Sequence, residues 1–146
     1  MHGKVINLFI THDDYAKTRE SVQSIDADSN GIVNDKFYAK NSQRAILITS
    51  IESYEISKKN GITLQEGFLG ENILIDINPY SLVAGEHLII SNLTLEITQN
   101  CTLCQGLSSL NTKLPKLLKN DRGIFAKVIS QGGKISKGDK VEILHH

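Results

Sequence analysis

Cys101 and Cys104, three residues apart, are the groups in this chain with the greatest capacity for chemistry. A thiolate attacks electrophiles, carries sulfur or binds a soft metal, and each use needs cationic or donor groups nearby to hold it deprotonated. Arg44, Arg122 and Lys127 are the candidates for that service. Thiolate suits transition metals, so Cys104 is also a candidate metal ligand. A cysteine serves equally as a small buried hydrophobe; for Cys104 the balance falls on chemistry, for Cys101 on the core. A tetrahedral zinc site would need two further ligands, and His2, His12, His87 and the His145–His146 pair stand in no close Cys/His spacing. A thioredoxin-like dithiol opens a helix in a βαβ pattern, whereas the chain around Cys104 reads as β, which leaves dithiol redox chemistry a minority reading.

Two other clusters could wall such a thiol. Gly67-Phe68-Leu69-Gly70-Glu71-Asn72 places an acid and an amide after glycines, where backbone can approach a ligand closely. Arg122-Gly123 offers a guanidinium that can pair an anion such as phosphate bidentately. Taken singly, each also reads as a turn with polar surface residues, as do Asp35 and Lys36 after the Gly31 turn.

The elements that must position these groups are mostly short strands. Lys4 to Thr11 is β-branched and aromatic between Gly3 and His12-Asp13-Asp14. Ser21 to Ile25 alternates as a short strand, and Asp28-Ser29-Asn30-Gly31 is a turn signal. Arg44 to Thr49 is an apolar β run, after which Ser50 is placed to cap a helix from Ile51 to about Lys59, with Lys58 and Lys59 suited to its C-terminal dipole and Asn60-Gly61 to its stop. Ile73 to Ile77 forms a strand ended by Asn78-Pro79-Tyr80. Leu82–Ile90 and Ile135–Ile143 resemble one another: in each a Gly-acid pair turns into a strand whose apolar residues lie three and five positions beyond the Gly. Leu95 and Ile97 alternate with Glu96 and Thr98, so Cys101 and Cys104 follow a strand end. A short helix is expected within Leu107–Leu118, limited by Pro115. Gly123–Ser130 is a strand, Gln131–Lys134 a turn, and Val141–Leu144 the last strand. Many short strands with one or two brief helices predict a mainly β fold, a barrel or sandwich.

Composition narrows the partners. At 146 residues the chain fits one domain over 1–146, and a domain of that size buries roughly 70% of its unfolded surface without staples. The 16 Lys+Arg balance 16 Asp+Glu, so global charge draws neither nucleic acid nor an anionic membrane, and an anionic ligand needs a local cluster. Aromatic content is 5% with no Trp, which argues against base-stacking platforms. The first apolar run, Val5 to Ile10, is too short and too acidic behind for a signal peptide, and nothing approaches a membrane span. A cytoplasmic protein is expected, and in a reducing compartment two cysteines are free thiols, metal ligands or redox groups more often than a disulfide.

The order of the clusters carries more than any one of them. Gly31-x-x-x-Asp35, Arg44 opening an apolar strand, Phe68-x-Gly70-Glu71-Asn72, Gly85-Glu86, Thr98 leading to Cys104, Arg122-Gly123 and Gly138-Asp139 together resemble a MOSC domain, the family similar to the C-terminal domain of molybdenum cofactor sulfurases. The resemblance spans about Ser21 to Leu144. It implies a β-barrel of the pyruvate-kinase-insert type with small peripheral helices, and a role in handling sulfur and the molybdenum cofactor (molybdopterin). In that reading Cys104 matches the family's cysteine, carrying sulfur as a persulfide or ligating molybdenum. Arg44, Glu71, Asn72 and Arg122 match positions expected to line the cofactor site, and Asp35 falls in the same matched pattern. Three positions depart from the family: Leu103 stands where a proline is usual, Cys101 where an arginine is common, and Gly106 where a lysine is frequent. The extra thiol at Cys101 would let Cys104 resolve a persulfide through a transient disulfide. The family's cysteine-desulfurating enzymes carry a separate pyridoxal-phosphate domain, which this chain is too short to include, so a sulfur donor such as a cysteine desulfurase would be a partner, alongside cofactor-biosynthesis proteins or molybdoenzymes. The implied activity is sulfur transfer or cofactor binding. A non-catalytic oxyanion- or pterin-binding module and a molybdenum-dependent reductase component remain the alternatives.

Overall fold

A computed structural model describes residues 1–12, 19–101 and 111–144. Cys104, Leu103, Gly106 and the first part of the helix expected within Leu107–Leu118 lie outside them, as do His145 and His146. The described strands are β1 (His2–Thr11), β2 (Arg19–Ser21), β3 (Ser24–Asp28), β4 (Gly31–Ile32), β5 (Ile46–Ser50), β6 (Ile73–Ile75), β7 (His87–Ile90), β8 (Leu93–Asn100), β9 (Ile124–Val128), β10 (Gly133–Ser136) and β11 (Lys140–Leu144). Two helices, α1 (Ile51–Lys59) and α2 (Leu114–Leu117), stand outside the sheet among the described residues.

Seven strands close a barrel in the order β11-β7-β8-β9-β5-β6-β1, with β1 pairing back onto β11. Closure removes the exposed edges that an open sheet of this length would present. β5 and β6 run parallel and are joined across α1, while the other pairs of the barrel are antiparallel. The parallel pair needs that crossover, because a hairpin can join only antiparallel strands. Ser50 caps α1 as expected: its hydroxyl accepts from the Glu52 amide at 3.2 Å. The two similar segments meet across one ladder, Val141 opposite Ile90 and Ile143 opposite Leu88. Each is led in by a glycine in the left-handed region, Gly85 at φ 93° and Gly138 at φ 88°, a conformation that a side chain disfavours. The apolar residues three and five beyond each glycine therefore share one inward face.

Ile46, Ile48, Ile73, Ile75, Leu88, Ile90, Leu95, Ile124 and Val128 fill the barrel and are essentially inaccessible to solvent. A second, smaller cluster of Leu69, Leu114 and Leu118 packs with Tyr54 between the helices and the wall. No described helix is long and apolar enough to cross a membrane.

The structure differs from the sequence reading in three places. The single strand expected over Ser21–Ile25 is two strands, because the chain leaves β1 at Val22, whose amide bonds Leu8 C=O, and joins a separate sheet of β10, β3 and β4. The turn expected over Gln131–Lys134 is shorter, since Gly133 and Lys134 already pair with Ala27 and Asp26. The second helix is short, as expected, the four residues Leu114–Leu117, but Pro115 sits in its first turn rather than ending it, where its missing N–H has no helical partner to lose.

Candidate functional site

The β8 strand carries its pairing with β9 through a bulge between Ile97 and Gln99, so that Asn100 faces Ile124 and the Cys101 amide donates to Gly123 C=O at 3.0 Å. The strand end thus delivers Cys101 beside Arg122. Arg122 Nη1 donates to Cys101 Sγ, and Nη2 donates to Leu69 C=O at 3.2 Å. A guanidinium on sulfur is the electrostatic company that favours thiolate over thiol. Gly123 lets the chain leading into β9 pack closely on β5: a Cβ there would lie 3.0 Å from Leu47 Cδ1 and 3.2 Å from Ile48 C=O. Cys101, Leu47 and Phe125 form a small buried cluster.

That cluster is the floor of a cleft of about 450 Å³, whose walls are completed by Arg19, Phe37, Lys40, Asn41, Arg44 and Arg122 together with Leu69, Gly70 and Asn72. The chain contains three arginines, and all three line this cleft. Lys40 adds a fourth cation, and among the described residues none that lines the cleft is acidic. Arg44 lies over the Phe125 ring, 5.2 Å from its centroid, a cation–π contact that holds the guanidinium at the wall. Arg19 Nη1 donates to Glu71 C=O at 3.1 Å. Burial lowers the Arg19 pKa from its ordinary value, opposed by the charges of Glu71 and Asp35.

Of the residues expected to act here, Arg44, Asn72, Cys101 and Arg122 line the cleft, whereas Asp35 and Glu71 stand behind it. Asp35 is 5% exposed. Its Oδ1 accepts from the Thr11 amide at 2.7 Å and from Asn72 Nδ2 at 3.0 Å, and its Oδ2 accepts from the Phe37 amide at 3.0 Å. Asn72 also gives Nδ2 to Phe9 C=O and takes the Leu47 amide on Oδ1, so both ends of its amide are committed to backbone and to Asp35. Glu71 is fully buried, with Oε2 accepting from Thr49 Oγ1 at 2.8 Å and from Tyr54 Oη. Burial and the Glu71 charge push the Tyr54 pKa well above the usual phenol value. Lys127, the third cation considered for the thiol, is not among the lining residues. Sequence reasoning missed Arg19 and Lys40; the signal available was that Arg19 is the one arginine left after Arg44 and Arg122. Among the described residues no group of three or more His, Cys, Asp and Glu side chains is arranged to hold a metal ion.

The sequence model of one family, described as the MOSC domain, matches residues 14–142. The chain belongs to the MOSC domain family. Solved structures share the fold. The YuaD protein from Bacillus subtilis superposes with a TM-score of 0.84 at 22% identity, over 97% of this chain and 95% of that one. YiiM from Geobacillus stearothermophilus follows at 0.72 and 15%, covering 98% of this chain and 75% of its own. YiiM from Escherichia coli stands at 0.70 and 18%, covering 100% of this chain and 71% of that one. At 15–22% identity the likeness is one of fold. No curated protein matches the sequence.

The MOSC family is associated with the molybdenum cofactor, a phosphorylated pterin, and the donor set here fits an anion of that kind. Among the described residues, three guanidiniums and an ammonium face one cleft with no carboxylate in its lining, and Arg122 Nε is buried without a hydrogen-bond partner. A polar atom desolvated in that way is costly until something accepts from it.

Proposed function

We propose that this MOSC domain binds the molybdenum cofactor or its precursor in the arginine-lined cleft and carries sulfur on a cysteine thiolate. The observation that supports it best is the gathering of the chain's entire arginine complement around a buried thiol. Arg19, Lys40, Arg44 and Arg122 would hold the phosphate and other oxyanion groups, the arginines with the bidentate geometry that matches them. Phe37, Leu47, Leu69 and Phe125 line the same walls and limit water around those charges, which strengthens each contact. When bound, the cofactor would supply a metal centre open to sulfur ligation.

The chain's own part is to hold a sulfur nucleophile beside that anion. A partner's persulfide, of the kind a cysteine desulfurase generates, would pass its terminal sulfur to the acceptor thiolate. The S–S bond of the donor breaks, a new S–S bond forms on this chain, and the donor leaves as a thiolate, with no net oxidation. Cys104 is the acceptor that the family pattern indicates, and Cys101 is the thiol that Arg122 meets. Burial of Cys101 at 5% exposure favours one second reading, a binding module for an oxyanion or pterin in which the thiols are structural.

The deciding experiment is intact-mass and metal analysis of protein purified without added thiol and then incubated with a sulfur donor and molybdenum cofactor. Sulfur transfer predicts a gain of one sulfur that vanishes in Cys104→Ser and only weakens in Cys101→Ser. Equal loss in both variants would indicate a working dithiol. Cofactor retained by both variants without sulfur gain in the wild type would establish the binding module instead.

A further inference from the structure

A buried carboxylate, Glu71, stands directly behind the cleft without lining it, and its hydrogen bonds brace the backbone turn whose carbonyls accept from two of the arginines. Glu71 Oε2 takes hydroxyls from two elements, Thr49 of β5 and Tyr54 of α1. The Tyr54 oxygen in turn accepts from the Gly67 amide at 3.0 Å. The turn from Gly67 to Glu71 is therefore pinned at both ends by one phenol–carboxylate pair. Between the pins the turn presents its carbonyls to the cleft: Leu69 C=O takes Arg122 Nη2 at 3.2 Å, and Glu71 C=O takes Arg19 Nη1 at 3.1 Å. The Leu69 side chain, fully buried against Leu114 and Leu118, fixes the middle of the same turn. Arg44 is held differently, by the face of Phe125.

We infer that Tyr54, with Glu71 and Thr49, is a positioning device that holds the Arg19 and Arg122 guanidiniums in register for an anion through the carbonyls of the Gly67–Glu71 turn. Tyr54 touches no ligand in this scheme; it acts through the turn. The inference rests on the reading that the cleft takes an anion, and it deepens that reading by dividing the three arginines into two set by one turn and one set by an aromatic ring.

Two measurements test it. The first needs no ligand: the rate at which phenylglyoxal modifies each arginine, resolved by peptide mass spectrometry, in the wild type and in Tyr54→Phe. Release of the turn predicts that Arg19 and Arg122 react several-fold faster while Arg44 is unchanged. The second is the affinity for inorganic phosphate, expected to fall by about tenfold in Tyr54→Phe, the size of one charge-assisted hydrogen bond lost or misaligned. Thr49→Val removes the other hydroxyl from the same carboxylate oxygen and should shift Arg19 and Arg122 in the same sense. It keeps the test open if Tyr54→Phe does not fold. A uniform rise over all three arginines, or no change in either variant, would overturn the inference and leave Tyr54 a packing residue. A wild type that binds no phosphate would overturn the anion-binding reading, while the modification rates still decide whether the turn holds the arginines.

Discussion

Arg122 joins the two chemistries of the cleft in one side chain, donating from one terminal nitrogen to the Cys101 sulfur and from the other to the Leu69 carbonyl. Its type and its neighbour Gly123 were legible in the sequence; its reach to both groups was not, because Leu69 is 53 positions away and meets it only through the fold. Asp35 shows the opposite case. As a residue after a glycine turn it reads as a surface charge, yet it is buried and spends both oxygens on Thr11, Phe37 and Asn72. No local pattern distinguishes those two fates. Tyr54 and Tyr80 carry a prediction at the same scale. Burial raises both above the ordinary phenol value of 10.0, aided by the Glu71 charge. In the unfolded chain they ionise near that value while the folded protein keeps both protonated, so their stabilising contribution is intact below about pH 10 and declines above it, by roughly 1.4 kcal/mol per pH unit for each residue. Urea unfolding followed from neutral to strongly alkaline pH should show that fall; a profile flat through the phenol range would count against it.

At the scale of elements, strand ends and helix ends place the site. β8 ends where its last ladder bond puts Cys101 against Gly123, and the run of alternating residues up to Thr98 already signals that end. α1 starts where Ser50 caps it, and it brings Tyr54 to Glu71 one turn further on. Ser50→Ala should therefore cost about 1 kcal/mol, the usual value of an N-cap hydroxyl, read as a lowered midpoint in thermal unfolding. The Ser50 amide keeps its own bond to Tyr80 Oη at 2.7 Å, so the loss should not spread beyond the first turn. A loss of several kcal/mol would show that the cap supports more of the wall than its one bond suggests. Gly-led turns and capped starts are local, and local rules read them well. The break between β2 and β3 is not local, since what separates them is a change of partner sheet.

At the scale of the whole molecule, the barrel isolates the cleft from the core that holds it up. Leu95 is fully buried among the barrel residues and lines no part of the cleft. Leu95→Ala should cost roughly 2–5 kcal/mol, as large-to-small changes in a packed interior do, while phosphate affinity of the folded protein stays unchanged; loss of affinity at full folding would show that core and cleft are coupled. From the amino-acid order alone came the mainly β class, the capped helix, the paired Gly-acid turns, and the company of Arg44, Asn72 and Arg122, because period-two patterning, turn chemistry and the spacing of the family's clusters are written along the chain. Only the tertiary structure decided that Arg19 and Lys40 join them, that Asp35 and Glu71 support the wall from behind, and that Tyr54 anchors the turn between. Those relations depend on which strands pair and how the barrel closes. Two residues 52 positions apart, such as Arg19 and Glu71, leave no trace of their contact in local sequence.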